Sequence, residues 1–72
     1  MKIEDRPCRQ RVLQAVNAEK TPQAVEHVRA SSGLVNWEST KAILMELVLE
    51  GEIKAIRGSN GWLFYRKDLS LQ

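Results

Sequence analysis

A chain of 72 residues has room for one small domain, whose core is marginal unless it packs well. Eleven basic residues against nine acidic ones give a net charge of +2, which leans only slightly towards anionic partners such as nucleic acid. The single cysteine, Cys8, excludes an internal disulfide framework and a multi-thiol metal cluster.

Met1 to Glu4 reads as an arm, with Ile3 available to fold back on the first helix. Asp5-Arg6-Pro7 is a helix start, since aspartate caps free N–H groups and proline is tolerated in the first turn. Cys8, Val12, Ala15 and Val16, widened by Leu13, then recur at spacings of three and four and predict an inner face. Arg6, Arg9, Arg11 and Gln14 point outward, and the helix fades near Ala18.

Thr21-Pro22 repeats the start signal and predicts a second helix from Pro22 to about Ser31, with Ala24, Val25 and Val28 inward. Gln23, Glu26, His27 and Arg29 are expected outside. Ser31-Ser32-Gly33 breaks that helix, and Leu34-Val35 returns to the core.

The run Asn36 to Gly51 is the clearest helix of the chain. Asn36 is placed to cap it and Gly51 to end it in the left-handed conformation. Thr40, Ile43, Leu44, Leu47 and Val48 form its core face, with Trp37 at one end. Glu38, Ala42, Met45 and Leu49 make a second, largely apolar strip.

After Gly51 the period changes to that of strands. Glu52 to Arg57 and Trp62 to Lys67 flank Gly58-Ser59-Asn60-Gly61, in which Asn-Gly predicts a tight hairpin turn. An isolated hairpin is marginal in water, so Ile53, Ile56, Trp62, Phe64 and Tyr65 are expected to pack under the helices. Asp68 to Gln72 reads as a tail with Leu69 and Leu71 as late contacts. The expected fold class is therefore α+β, three helices followed by a two-stranded hairpin, in one domain spanning 1–72.

Two helices joined by a glycine turn, then a hairpin, make a helix-turn-helix with a wing. From Asp5 to Lys67 the chain resembles the winged helix-turn-helix family. Leu44, Leu47 and Glu50-Gly51-Glu52-Ile53 look like the L-x-x-L-x-x-x-G-x-I end of that family's recognition helix. The small size and the aromatic last strand are most similar to stand-alone bacterial regulators of enterobacterial fimbrial operons, and to small phage or plasmid regulators. The resemblance implies a transcription regulator that binds double-stranded DNA, its third helix in the major groove and its wing on the backbone or minor groove. Some members of these families act together with a larger regulatory protein.

Carried over by position, the groove-facing side of the third helix is Trp37, Glu38, Lys41, Ala42 and Met45, with Asn36 as a further contact. Asn36 and Lys41 offer donors to bases, while Ala42 and Met45 can touch thymine methyls. Against this, the segment carries one lysine and three glutamates, so a protein-facing surface centred on Ala42, Met45 and Leu49 is the alternative. In the wing, Lys54, Arg57, Arg66 and Lys67 suit phosphates, and Ser59 and Asn60 at the tip suit a minor groove. The same cations are also what edge strands carry to stay soluble.

His27 has no second ligand at coordinating spacing, no acid–base pair is legible, and G-S-N-G lacks the lysine and helix of a phosphate loop. No enzyme, metal or cofactor is expected. The apolar runs fall short of the roughly 18 to 20 residues that span a bilayer, and no signal peptide opens the chain, so a cytoplasmic protein without a membrane partner is expected.

Overall fold

The computed structural model describes residues 5–59 and 61–69, with the backbone alone for 5–7. The elements run α1 (Asp5–Asn17), β1 (Gln23–Ala24), α2 (Val25–Ser32), α3 (Trp37–Leu49), β2 (Ile53–Gly58) and β3 (Gly61–Arg66). The expected arm at 1–4, the cap by the Asp5 side chain, Asn60 and the last residues of the tail lie outside this description.

The sheet has three strands, in the order β1-β3-β2 and antiparallel throughout. This corrects the two-stranded hairpin expected above. Gln23 and Ala24, predicted to lie in the first turn of a helix, instead pair with Phe64 and Leu63. Helix α2 accordingly begins at Val25, and Ala24 at its cap is extended (φ −74°, ψ 163°) without a side-chain cap bond. Thr21 caps nothing there; its hydroxyl and carbonyl accept from the Gln23 side-chain amide at 2.8 and 3.0 Å. The reason is tertiary. An eight-residue, weakly apolar helix gains little from one more turn, whereas two residues laid along β3 satisfy backbone groups on an otherwise open edge.

Both glycine stops behave as expected. Gly33 has φ +77°, and the Leu34 N–H reaches back to the Arg29 carbonyl at 3.2 Å. Gly51 has φ +80°, its N–H donating to Val48 O at 3.0 Å and the Glu52 N–H to Leu47 O at 2.9 Å. That crossed pair closes the last turn of α3 and turns the chain directly into β2.

The core is Val12 and Val16 of α1, Val25 and Val28 of α2, Leu44 and Leu47 of α3, with Ile53 and Phe64 from the sheet. Thr40 is fully buried in it, and its hydroxyl is satisfied by donating to Asn36 O at 2.9 Å. The strand register separates two faces of the hairpin. Ile53 opposes Arg66, Ala55 opposes Phe64 and Arg57 opposes Trp62, so these six share the helix-facing side. Lys54, Ile56, Leu63 and Tyr65 lie on the other side. Ile56 and Tyr65 are therefore not under the helices as expected, because period-two alternation sends them outward. Trp62 is on the correct face but 39% exposed, two residues nearer the tip than the fully buried Phe64. Val35, expected in the core, is 92% exposed, while Leu34 packs against it. Among the described residues no helix is long and apolar enough to cross a membrane.

Candidate nucleic-acid interface

Helix α3 is anchored by Thr40, Leu44 and Leu47, and this orientation decides what it shows to solvent. Glu38, Ser39, Ala42, Glu46 and Leu49 are outside, and Met45 and Lys41 are half-buried along one edge. Met45 packs against the core, so it offers less free surface than its helical position suggests. Asn36 does cap the helix: its side-chain oxygen accepts from the Ser39 N–H at 3.0 Å. The amide oxygen is thus engaged, and the amide nitrogen is the group of Asn36 left to reach a partner. Trp37 is 44% exposed, with the Lys41 ammonium 5.5 Å from its ring centroid. A lysine one turn on from a tryptophan stacks this way because the ring's electron-rich face attracts the cation.

The glutamates of α3 are unequally disposed. Arg9, predicted to point outward from α1, donates to Glu46 at 3.0 Å and also to Glu50. Bonding to Glu50, reinforced by the charges of both carboxylates, raises the Arg9 pKa further above its usual range. Two of the helix's three acidic groups therefore share a counter-charge on the α1 side, and Glu38 is left beside Lys41 on the N-terminal half. The acidity that weakens this helix as a DNA reader is concentrated away from its start.

The cations of the hairpin do not form one patch. Lys54 is exposed on the outer sheet face. Arg66 and Lys67 are at the far end of the ladder, lining a shallow cleft with Asn17, Glu52 and Asp68. Arg66 Nε lies 3.2 Å from Asp68. Arg57 and Ser59 are near the tip, together with Gly58 and Gly61, and the Arg57 guanidinium carbon lies 5.4 Å from the centroid of the Trp62 ring. Arg57 is thus separated from Arg66 and Lys67 by distance along the strands, whereas Lys54 lies at their end of the ladder but on the opposite sheet face from Arg66, and Arg66 and Lys67 have carboxylates beside them.

The chain matches no family model, no curated protein and no solved structure. Its surface must therefore be interpreted from its own chemistry. Of the twelve candidate site residues, the structure groups Asn36, Trp37, Glu38, Lys41 and Ala42 on and around the first turns of α3. It groups Arg57 with Ser59 at the hairpin tip and sets Arg66 and Lys67 apart. Two features were missed in the sequence: the Arg9 link to Glu46 and Glu50, and the stacking of Arg57 on Trp62. The first spans 37 residues and carries no local signal. The second was accessible, because a tight Gly58-to-Gly61 turn makes residues 57 and 62 direct cross-strand neighbours.

The other exposed feature is apolar. Leu49 is 86% exposed at the end of α3 and Val35 is 92% exposed before its start, with Ala42 between them. Among the described residues no group of three or more histidine, cysteine or acidic side chains converges as a metal site would require.

Proposed function

We propose that this chain is a small winged helix-turn-helix transcription regulator that binds double-stranded DNA. The observation that carries this reading is the pairing of Glu46 and Glu50 with Arg9. It sets a guanidinium against two of the three carboxylates of the Asn36–Gly51 segment and leaves Lys41, the Asn36 amide, Trp37 and Ala42, beside Glu38, to present at the N-terminal half of α3. The second helix of a helix-turn-helix commonly reads base edges with its N-terminal residues. Lys54 and Arg57 supply phosphate or groove contacts from the hairpin, and β1 ties that hairpin to the start of α2, holding wing and helices in one frame. Glu38 remains on the surface, where it accepts from a cytosine amine or repels phosphate according to the site.

The test is a gel shift on duplex DNA at two salt concentrations. Binding that weakens steeply with salt, and weakens further on Lys54→Glu or Arg57→Glu, supports the reading, because each neutralised phosphate releases counterions. Absence of a shift at low salt overturns it.

A second reading rests on Ala42 and Leu49 of α3 and Val35 just before it, exposed apolar residues that dock a larger regulatory protein or a second copy of the chain. Sedimentation of wild type and Leu49→Glu addresses self-association. A monomer at high concentration excludes the homodimer, and a partner interaction indifferent to Leu49→Glu excludes that surface.

A further inference from the structure

Four arginines of this fold are held in two different ways, while Arg11 is exposed on α1. Arg9, Arg29 and Arg66 each lie against a carboxylate: Glu46 and Glu50, Glu26, and Asp68 respectively. Arg57 lies over an indole ring, and among the described residues no carboxylate is placed within ion-pair distance of it. A carboxylate orders a guanidinium by cancelling its charge, while an aromatic face orders it and leaves the charge intact. All five N–H donors of the guanidinium lie in its plane, so stacking one face on a ring leaves the donor edge open.

The surroundings favour a narrow target. Among the described residues of the tip, Gly58, Ser59 and Gly61 carry no bulky side chain, and Trp62 is partly exposed on the same sheet face as Arg57. The minor groove of duplex DNA is about 6 Å wide, and A·T-rich tracts narrow it and deepen its negative potential. An arginine that keeps its charge and is already ordered on a ring suits that groove, since the rotamer entropy lost on insertion is reduced beforehand. We propose that Trp62 is a positioning residue that holds Arg57 for insertion into the minor groove of A·T-rich duplex DNA. This rests on the DNA-binding reading and adds to it a sequence class and the residue that creates the preference. Trp62 acts through Arg57, with the indole as its support and the guanidinium as the contacting group.

The experiment compares fluorescence anisotropy of two labelled duplexes of equal length, one A·T-rich and one G·C-rich, at one salt concentration. The proteins are wild type, Arg57→Ala, Arg57→Lys, Trp62→Ala and Trp62→Phe, each checked for an unchanged circular dichroism spectrum and melting profile. Wild type is expected to favour the A·T-rich duplex, and Arg57→Ala to bind both equally. Trp62→Ala is expected to lose about two- to fivefold of the preference, the size of an exposed cation–aromatic contact. Trp62→Phe, which keeps a ring, restores most of it, and Arg57→Lys does not. Were Trp62→Ala to unfold, Trp62→Phe and Arg57→Lys would carry the comparison alone, with opposite expected outcomes. Equal binding of both duplexes by wild type overturns this proposal while leaving DNA binding in place, as does a full preference in Trp62→Ala. Binding of neither duplex overturns the DNA-binding reading itself, and this proposal with it.

Discussion

Arg9 on α1 and Glu46 on α3 meet at 3.0 Å across 37 residues of sequence, and the same guanidinium also bonds Glu50 one turn further along α3. One cation thereby spans the outer edge of the α1–α3 contact and sets where the negative charge of α3 lies. Because the side chains are partly solvated, this is a modest stabiliser and a stronger determinant of surface charge.

Arg9→Ala is therefore expected to cost less than about 1 kcal/mol, lowering the melting temperature by at most about 4–8 °C, an effect that shrinks in high salt. On the proposed DNA-binding reading, it should weaken DNA binding by more than loss of one remote cation would, since Glu46 and Glu50 become uncompensated. Arg9→Lys, which keeps the charge, should recover most of the affinity. Melting curves and anisotropy at two salt concentrations check both parts, and a DNA affinity unchanged by Arg9→Ala would remove the argument from charge placement.

The hairpin faces make a sharper contrast. Phe64 is fully buried in the core cluster, whereas Trp62 on the same face is partly exposed. Phe64→Ala should cost about 3–5 kcal/mol. In a domain this small that approaches the whole folding free energy. Trp62→Ala should leave the fold intact with a loss of about 1 kcal/mol or less, the scale of a surface contact. Urea denaturation of the two variants decides it, and equal losses would mean that the tip packs more tightly than described.

The ends of α3 and α2 depend on single residues. Asn36→Ala removes the acceptor of the Ser39 N–H and should cost about 1 kcal/mol, whereas Asn36→Asp should be tolerated. Gly33→Ala should cost about 1–2 kcal/mol although a methyl group would meet no atom within 4 Å, because φ +77° disfavours any L side chain. Thermal melts measure both; a neutral Gly33→Ala would show that the turn can relax to another backbone path.

Arg29 and Glu26, one turn apart on α2, share bonds of 3.0 and 2.6 Å, and Arg29 also donates to Leu34 O at 2.9 Å. The bond from Arg29 holds the Glu26 carboxyl below its ordinary value of 4.5. A carboxylate depressed in the folded state contributes stability that is present above 4.5 and is lost as pH falls through the lowered folded value. A carboxyl NMR titration should place Glu26 below 4.5, and Arg29→Gln should return it there; a wild-type value of 4.5 or higher would show that the pair is open in solution.

Much of this protein was legible in the sequence because it is locally encoded. Asn36 and Gly51 delimit α3, Gly33 ends α2, and the spacing of Val12, Val16, Leu44 and Leu47 marks the core, since capping and helical periodicity act within a few residues. The Gly58-to-Gly61 turn likewise sets the hairpin register. What the sequence by itself could not decide concerns partners far apart in the chain. Gln23 and Ala24 became a strand because β3 offered them a free edge, overriding a Thr-Pro helix start. Arg9 turned from an outward charge into the counter-ion of α3. Trp62 and Phe64, two residues apart on one sheet face, differ in burial because the second lies in the core and the first towards the hairpin tip. Local chemistry chose every element but β1; the distance between elements, which only the folded chain defines, decided that strand and which side chains are left on the surface to act.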